Sequence, residues 1–249
     1  MKKLYIFLTM LLMGVITYGA NFSVAPTRFE LKIDKTATNE VYITNNTKRP
    51  LRIETYLESD NDFGKEYNLN SNIAIFPKVI AIKPAGKQVV RFRVKPNSNL
   101  KAGEYKSYIV FKEVPYEIKN SEKKLEDQDG TSNVIIVTEL GISVYGTLGE
   151  ENLKGKIENF KLNYKDKVLG IKFDSISEGN CSYKYRYIVE DLKGNILAEG
   201  RAGNSLRNGR VNMGFVLTET ENFVGKNIKV KILDQKNNVL KEERIKISN

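Results

Sequence analysis

The most informative stretch of the sequence is Val134-Ile-Ile-Val-Thr-Glu-Leu-Gly-Ile-Ser-Val-Tyr145. Its even positions form an almost wholly apolar row, which consists of Val134, Ile136, Thr138, Leu140, Ile142 and Val144. Alternation with period two in β-branched residues predicts a long β-strand. The charged segment before it, residues 117–132, is predicted to be a mobile loop. A long apolar strand beside such a loop needs cover from its own sheet or a partner that pairs with it.

Strand patterns extend on both sides of this stretch, and no segment shows convincing helical periodicity. In the first half they lie at residues 41–44, 51–57, 89–94 and 105–112. In the second half they lie near residues 157–162, 168–173, 183–189, 211–217 and 228–233. Short strands separated by polar turns predict an all-β chain built from β-sandwiches.

The first strand after the N-terminal segment contains a break in its apolar phase. Phe22 and Val24 place their apolar side chains at even positions. Phe29 and Leu31, which follow, place theirs at odd positions. A shift of one residue turns the following side chains to the opposite face of a strand. The break beside Pro26 therefore predicts that the chain leaves one sheet for the other at this point.

The second half contains two similar segments after a predicted linker at residues 149–154. Residues 191–199 and 234–242 share the pattern Asp-x-Lys-x-Asn-x-Leu-x-Glu. Each is predicted to form a β-hairpin, because Gly194-Asn195 and Asn237-Asn238 supply residues that tolerate positive φ angles.

The N-terminus has the features of a secretory signal peptide. Lys2 and Lys3 precede an apolar core too short to span a bilayer, and small residues follow up to Gly19 and Ala20. Cleavage near Gly19 or Ala20 is predicted to release an exported protein that does not span a membrane. Cys181 is the single cysteine and excludes an intramolecular disulfide. It is interpreted as a small buried apolar side chain, with a reactive thiol as the alternative.

Positive charge is spread evenly over the chain. The formal charge of +10 falls to +8 without the two signal-peptide lysines, and residues 21–132 and 133–249 each carry 19 basic and 15 acidic side chains. A nucleic-acid binder concentrates its positive charge in a patch. The even spread therefore predicts a solubilising surface and no nucleic-acid partner.

The residue types that most enzymes need are scarce or absent. The chain has no histidine, which removes the usual general base and the commonest zinc ligand. It also has no phosphate-binding or dinucleotide-binding motif. The segment Asp60-Asn-Asp-Phe-Gly64 only partly matches a calcium loop, because Ser71 stands where that loop ends in glutamate, and it is interpreted as a turn. We therefore expect no catalysis, no metal and no cofactor.

Several groups of residues occur in the order of one known family. They are Phe22-Ser-Val-Ala-Pro-Thr-Arg28, then Val41-Tyr-Ile-Thr-Asn-Asn46 with Pro50, then Phe76-Pro77, Pro84-x-Gly86 and Gln88-Val-Val-Arg91, and finally Phe111-Lys-Glu-Val-Pro115. Together with the loop and the long strand, this order resembles the PapD-like periplasmic chaperones of the chaperone–usher pilus pathway. The resemblance implies two immunoglobulin-like sandwich domains, at residues 21–146 and 147–249, behind a signal peptide at residues 1–20.

The resemblance also implies a function for the long strand. A chaperone of this family caps pilus subunits by lending them a strand, in donor-strand complementation, and delivers them to an outer-membrane usher. The row from Val134 to Val144 would be the lent strand, with Ile136, Leu140 and Ile142 filling the groove of the subunit. The alternative is an ordinary core strand covered on both faces. A lent strand left without a client would also favour self-association of the free protein.

Four polar residues receive roles from the resemblance. Arg28 would bind the C-terminal carboxylate of the subunit, and an exposed surface ion pair is the alternative. Ser143 stands where the family has a lysine beside this arginine. Lys112, on the neighbouring strand, is either the replacement for that lysine or a solvated surface side chain. Glu113 matches an acidic residue of the family's interdomain network.

Two other classes of function stay open at the level of the sequence. The first is a secreted adhesion or scaffold protein that uses the same sandwiches for surface binding. The second is a carbohydrate-binding or hydrolytic module with an acid pair that the sequence alone does not single out.

Overall fold

A computed structural model of the protein describes residues 20–115 and 136–247. Residues 1–19 of the predicted signal peptide, the predicted loop at residues 117–132 and Val134 lie outside this part of the chain. The described residues form sixteen β-strands: β1 (Phe22–Ala25), β2 (Arg28–Lys32), β3 (Ala37–Asn45), β4 (Leu51–Ser59), β5 (Ile73–Phe76), β6 (Val79–Ile82), β7 (Lys87–Val94), β8 (Gly103–Glu113), β9 (Glu139–Leu148), β10 (Gly155–Lys165), β11 (Val168–Ser177), β12 (Lys184–Asp191), β13 (Ile196–Asn204), β14 (Gly209–Leu217), β15 (Asn227–Leu233) and β16 (Val239–Lys246). Three short 3₁₀ helices complete the regular structure, at Lys65–Tyr67, Asn70–Asn72 and Glu221–Phe223. In residues 20–115 and 136–247 we find no helix with the length and apolar character of a membrane span.

The N-terminal sandwich consists of β1 to β9. Its four-stranded sheet has the order β1-β3-β7-β5, and its five-stranded sheet has the order β2-β9-β8-β4-β6. Alternate residues of both sheets form one apolar core, in which Ile43, Ile53, Phe92 and Phe111 are at most 1% exposed. The prediction of an all-β sandwich is confirmed for this half of the chain.

The predicted change of sheet near Pro26 is also confirmed. β1 pairs with β3 in the four-stranded sheet, whereas β2 pairs with β9 in the five-stranded sheet. β5 and β6 cross between the same two sheets at the opposite side of the sandwich. Pro26 lies between β1 and β2, and Pro77 lies between β5 and β6. Proline has no N–H group to donate to a strand pair, so a position between two strands suits it.

The C-terminal sandwich consists of β10 to β16. Its sheets have the orders β10-β11-β14 and β13-β12-β15-β16, and they enclose a second apolar core around Phe173, Tyr185 and Ile232. Both predicted hairpins are present, as β12–β13 and β15–β16. The side chains of Asp191 and Asp234 close the two turns in the same way, since each accepts hydrogen bonds from main-chain N–H groups two and four residues later.

The two cores divide the described chain between them. The first core draws on residues from Phe22 to Leu148, and the second draws on residues from Leu153 to Ile247. β9 runs to Leu148, two residues beyond the predicted domain boundary at residue 146. The boundary itself stays a prediction, and the two separate cores support a division in this region.

Candidate functional site

The apolar row of β9 lies largely inside its own sandwich. Ile142 is 1% exposed, Val144 is fully buried, and the half-buried Leu140 packs against the same core. The prediction that Ile142 and Val144 are available to an outside polypeptide is therefore wrong. Both side chains point towards the four-stranded sheet, because that is the face on which β9 covers the core.

The same row leaves the core at its N-terminal end. Thr138 is half-buried, and Ile136 is 80% exposed although it has the same parity as the buried residues. The neighbouring Val137 is also partly exposed, at 37%. Ile136 and Val137, which precede β9, are therefore two adjacent apolar residues that their own sandwich leaves exposed.

β9 also has an open edge next to these exposed residues. On one side β8 pairs with it over its whole length, from Gly103 opposite Leu148 to Lys112 opposite Glu139. On the other side β2 runs parallel to it, but only opposite residues 143–147. Within the described part of the chain, no strand pairs with that side of residues 139–142. Main-chain N–H and C=O groups at such an edge can pair with another polypeptide.

Arg28 lies where this open edge begins. It starts β2 and is the register partner of Ser143 on β9, so the two side chains share the outer face of the five-stranded sheet. The Arg28 guanidinium lies 4.2 Å from the centre of the Tyr145 ring, a cation–π contact that supports its position. The sequence prediction that placed Arg28 and Ser143 side by side agrees with this register; their binding roles stay a prediction.

A second cation lies behind the same ring. Lys106, on β8, is the register partner of Tyr145, and its Nζ lies 5.2 Å from the centre of that ring. The ammonium is held by Asp60, at 2.5 Å, and by the hydroxyl of Tyr108, at 2.9 Å. Burial lowers the pKa of Lys106, but the hydrogen bonds of Asp60 and Tyr108 outweigh burial and raise it overall. Because Lys106 is engaged by Asp60, it acts as a support for Tyr145 rather than as a free cation.

A cation of the other sandwich shares a carboxylate with Arg28. Lys184, at the start of β12, places its Nζ 2.5 Å from Oε2 of Glu30. The other oxygen of Glu30, Oε1, lies 2.8 Å from both Nε and Nη2 of Arg28. One carboxylate thus bridges an arginine of the N-terminal sandwich and a lysine of the C-terminal sandwich.

Lys112 takes no part in the contacts among Arg28, Glu30 and Lys184. The register places Tyr108, not Lys112, opposite Ser143, so Lys112 lies four residues further along β8, roughly 13 Å away. Its Nζ lies 3.4 Å from Glu139 in an exposed pair. The prediction that Lys112 replaces a lysine at position 143 is therefore wrong, and the interpretation as a solvated surface side chain is correct.

Glu113 is also not an interdomain residue. It is buried at the far end of β8, where it accepts a hydrogen bond from Asn21, at 2.7 Å, and pairs with Arg49, at 3.1 Å. All three residues belong to the N-terminal sandwich. The prediction was wrong because the start of β8, about 30 Å away, is the end that meets the second domain.

The acidic residue that joins the two domains is Glu104. Its carboxylate accepts hydrogen bonds from the main-chain N–H of Ser182, at 2.8 Å, and from the hydroxyl of the same residue. The buried Arg207 donates to the main-chain oxygen of Glu104 at 2.6 Å and lies 3.8 Å from the centre of the Tyr67 ring. These contacts connect β8 of the N-terminal sandwich to the C-terminal sandwich through paired polar groups.

Two further sequence interpretations agree with the structure. Cys181 is buried beside this junction, and burial is the main reason why the pKa of its thiol rises to about 11. Such a thiol stays protonated and unreactive at neutral pH. The segment that starts at Asp60 is a turn, in which Oδ1 of Asp60 accepts from the main-chain N–H groups of Asp62 and Phe63.

Sequence reasoning missed Glu30 and Lys184. Glu30 follows Arg28 by two residues, so strand alternation alone was sufficient to place both on one face. Lys184 had no comparable signal, because it lies 154 residues from Glu30 in the chain. Its position depends on how the two sandwiches meet.

Comparison with known proteins relates the first sandwich to one family. Residues 21–143 match the sequence model described as pili and flagellar-assembly chaperone, PapD N-terminal domain. No curated protein matches the chain.

Among solved structures, similar chains include two chaperones and one chain of a chaperone complex. The Pseudomonas aeruginosa CupB2 chaperone is 9% identical with a TM-score of 0.45, over 90% of this chain and 100% of that chain. The E. coli chaperone DraB is 7% identical with a TM-score of 0.48, over 92% and 97%. A chain of the CsuC–CsuE chaperone–tip adhesion subunit complex of Acinetobacter baumannii is 14% identical with a TM-score of 0.47, over 92% and 99%.

Proposed function

Because its N-terminal domain belongs to the PapD family of pili and flagellar-assembly chaperones, we propose that this protein is a periplasmic chaperone of pilus subunits. It binds a subunit by donor-strand complementation, in which a strand of one protein completes the sheet of another. It then delivers the subunit to an outer-membrane usher. This activity needs no cofactor and no catalytic residue.

The observation that carries the proposal is the exposed start of the β9 row beside an open strand edge. Residues 139–142 have a free edge in the described part of the chain, and Ile136 extends their row into solvent. An incoming strand can form main-chain hydrogen bonds with this edge while its domain covers Ile136. Burial of one isoleucine side chain contributes about 1.5–3 kcal/mol before the entropy of association is subtracted.

The lent segment is shorter than the whole apolar row. Ile142 and Val144 belong to the chaperone's own core, so they hold β9 in place rather than entering the client. We therefore assign the contact with the client to Ile136 and Thr138, with Leu140 at the border. A strand that is fixed in one core and projects from it is preorganised for binding, since less entropy is lost on association.

Arg28 supplies the polar end of the site. Its guanidinium lies beside the point at which β2 leaves the edge of β9 open, so a client strand that runs along this edge ends near Arg28. A guanidinium binds a carboxylate through charge-assisted hydrogen bonds. The C-terminal carboxylate of the client is thus the group that Arg28 would bind, with the Ser143 hydroxyl as a neutral neighbour.

Co-expression with a pilin in the periplasm tests the proposal. Ile136→Asp should lower recovery of soluble pilin at least about tenfold, because the carboxylate would have to be buried in an apolar groove without a partner. Val216→Asp is the matched control, since Val216 is 63% exposed on β14 and the substitution adds the same charge. Both variants should keep the melting temperature of the wild type.

The outcome that rules out the proposed function is equal recovery of pilin with both variants. A protein of the adhesion or scaffold class would show this result, because it would bind no pilin through β9.

A further inference from the structure

The Glu30 carboxylate has the surroundings of a bound ligand. Its Oε1 lies 2.8 Å from two nitrogen atoms of Arg28, and its Oε2 lies 2.5 Å from Nζ of Lys184. Each oxygen is therefore satisfied by a different cation, and the two cations belong to different sandwiches. This is the arrangement in which an unattached carboxylate would be held by an arginine and a lysine together.

We propose that Arg28 and Lys184 form a single carboxylate-binding site across the two domains, and that Glu30 occupies this site in the free protein. A carboxylate of a bound polypeptide displaces Glu30 and takes over both cations. The identification of that polypeptide as a pilus subunit rests on the proposed function, whereas the exchange of carboxylates does not.

The exposure of the three side chains makes such an exchange possible. The side chains of Arg28 and Lys184 are each 36% exposed, and that of Glu30 is 45% exposed. An incoming carboxylate can therefore reach both cations from solvent. Exposed ion pairs contribute little net stability, so Glu30 can leave without unfolding the strand that carries it.

Arg28 keeps its position when Glu30 leaves, because two other groups hold it. The Tyr145 ring lies beneath the guanidinium at 4.2 Å. In the amide orientation that satisfies both groups, the side-chain oxygen of Asn204 accepts a hydrogen bond from Nη2 at 3.1 Å. Asn204 is the register partner of Lys184 in the hairpin β12–β13. The C-terminal sandwich thus supplies both the second cation and a support for the first.

The alternative role for Glu30 is a purely structural tie between the domains. The two roles predict opposite results for Glu30→Gln. A structural tie predicts weaker binding of a carboxylate, because the site would lose its geometry. An internal competitor predicts stronger binding, because the competing charge is removed while the shape of the side chain is kept.

A peptide assay separates these results without a pilin. The probe is a dye-labelled twelve-residue peptide of alternating valine and threonine with a free C-terminal carboxylate, and its twin carries a C-terminal amide. By fluorescence anisotropy, Glu30→Gln should bind the free-acid peptide about fivefold more tightly than the wild type, and Lys184→Met about fivefold more weakly. The amide twin should show neither change.

Glu151→Gln is the matched control. Glu151 pairs with Lys32 at 2.7 Å, so this variant also removes an ion pair from β2 but leaves Arg28 untouched. It should bind the free-acid peptide as the wild type does. Far-UV circular dichroism and a thermal melt verify that each variant is folded.

Three outcomes overturn the inference. The first is that Glu30→Gln binds the free-acid peptide no more tightly than the wild type. The second is that Glu30→Gln gains as much affinity for the amide twin. The third is that Glu151→Gln gains as much affinity for the free-acid peptide as Glu30→Gln does. Failure of the proposed function is a separate result. A pilin that is recovered equally well with Ile136→Asp and with Val216→Asp would refute the chaperone role and leave the measured carboxylate exchange standing.

Discussion

The apolar row of β9 meets opposite surroundings at its two ends. Val144 is fully buried, and β2 and β8 pair with the strand on both edges around it. Ile136 has the same parity but is 80% exposed. The row therefore stabilises the core at its C-terminal end. At its N-terminal end it forms an exposed surface that we assign to binding. The difference arises from where the neighbouring strands stop, not from the residues of the row.

The largest expected difference concerns the removal of apolar side chains from the two ends. Ile142→Ala should lower the free energy of unfolding by about 2–5 kcal/mol, because it leaves a cavity in a closely packed core. Ile136→Ala should change it by no more than about 0.5 kcal/mol, since the side chain is already in solvent. Urea denaturation of both variants measures this. Similar losses would mean that Ile136 is covered in solution and that the two ends do not differ.

The two glycines of β9 provide a smaller difference of the same kind. A Cβ at Gly146 would lie 2.9 Å from Leu69 Cδ1 and 3.0 Å from Ile33 Cδ1, whereas a Cβ at Gly141 would meet only the Tyr108 ring, at 3.8 Å. Gly146→Ala should therefore cost about 1–3 kcal/mol by overpacking. Gly141→Ala should be neutral or stabilising by up to about 1 kcal/mol, because it restricts the unfolded chain. A melt in which Gly146→Ala matches the wild type would contradict the close packing of the buried end.

The smallest expected effect is the pH dependence of the ion pairs that Glu30, on β2, forms with Arg28 and Lys184. Burial raises the pKa of Glu30, but the hydrogen bonds and charges of Lys184 and then Arg28 outweigh burial and lower the pKa overall. A lowered pKa in the folded state stabilises the protein above the ordinary pKa of glutamate, about 4.3, and this contribution disappears as the pH falls through the lowered value. Because the group is half exposed, we expect less than about 1 kcal/mol.

The measurement is the free energy of unfolding of the wild type and of Glu30→Gln from pH 7 to pH 3. The wild type should be the more stable protein at pH 7, and the difference should vanish near the acid end of this range. A difference that stays constant over the whole range would show that the ionised carboxylate of Glu30 does not contribute to stability.

The fold was predictable from the sequence to a large extent. The alternation in β9, the two Asp-initiated hairpins and the phase change beside Pro26 are local patterns, and each corresponds to an element of the structure. Such patterns depend only on residues close together in the chain. Arg28 and Ser143 lie far apart in the chain, so local patterns could not identify them as neighbours. The family resemblance was needed for that prediction.

The candidate site was less predictable, because it depends on strand register and on domain contact. The resemblance gave Lys112 a role beside Arg28 and gave Glu113 a role between the domains, yet the register of β8 puts Tyr108 opposite Ser143, and the contact with Ser182 puts Glu104 at the domain junction. A shift of a few residues along a strand moves a side chain by more than 10 Å. Charge and spacing in one strand cannot reveal such a shift.

Local sequence patterns indicate which residues form strands and which side chains share a face, since alternation is a property of consecutive residues. Three features depend on the packed fold: Ile142 and Val144 face a core, no strand of the described residues covers one edge of residues 139–142, and Lys184 meets Glu30. The physical reason is that cover, open edges and ion pairs between domains arise from the lengths and registers of strands that are far apart in the chain.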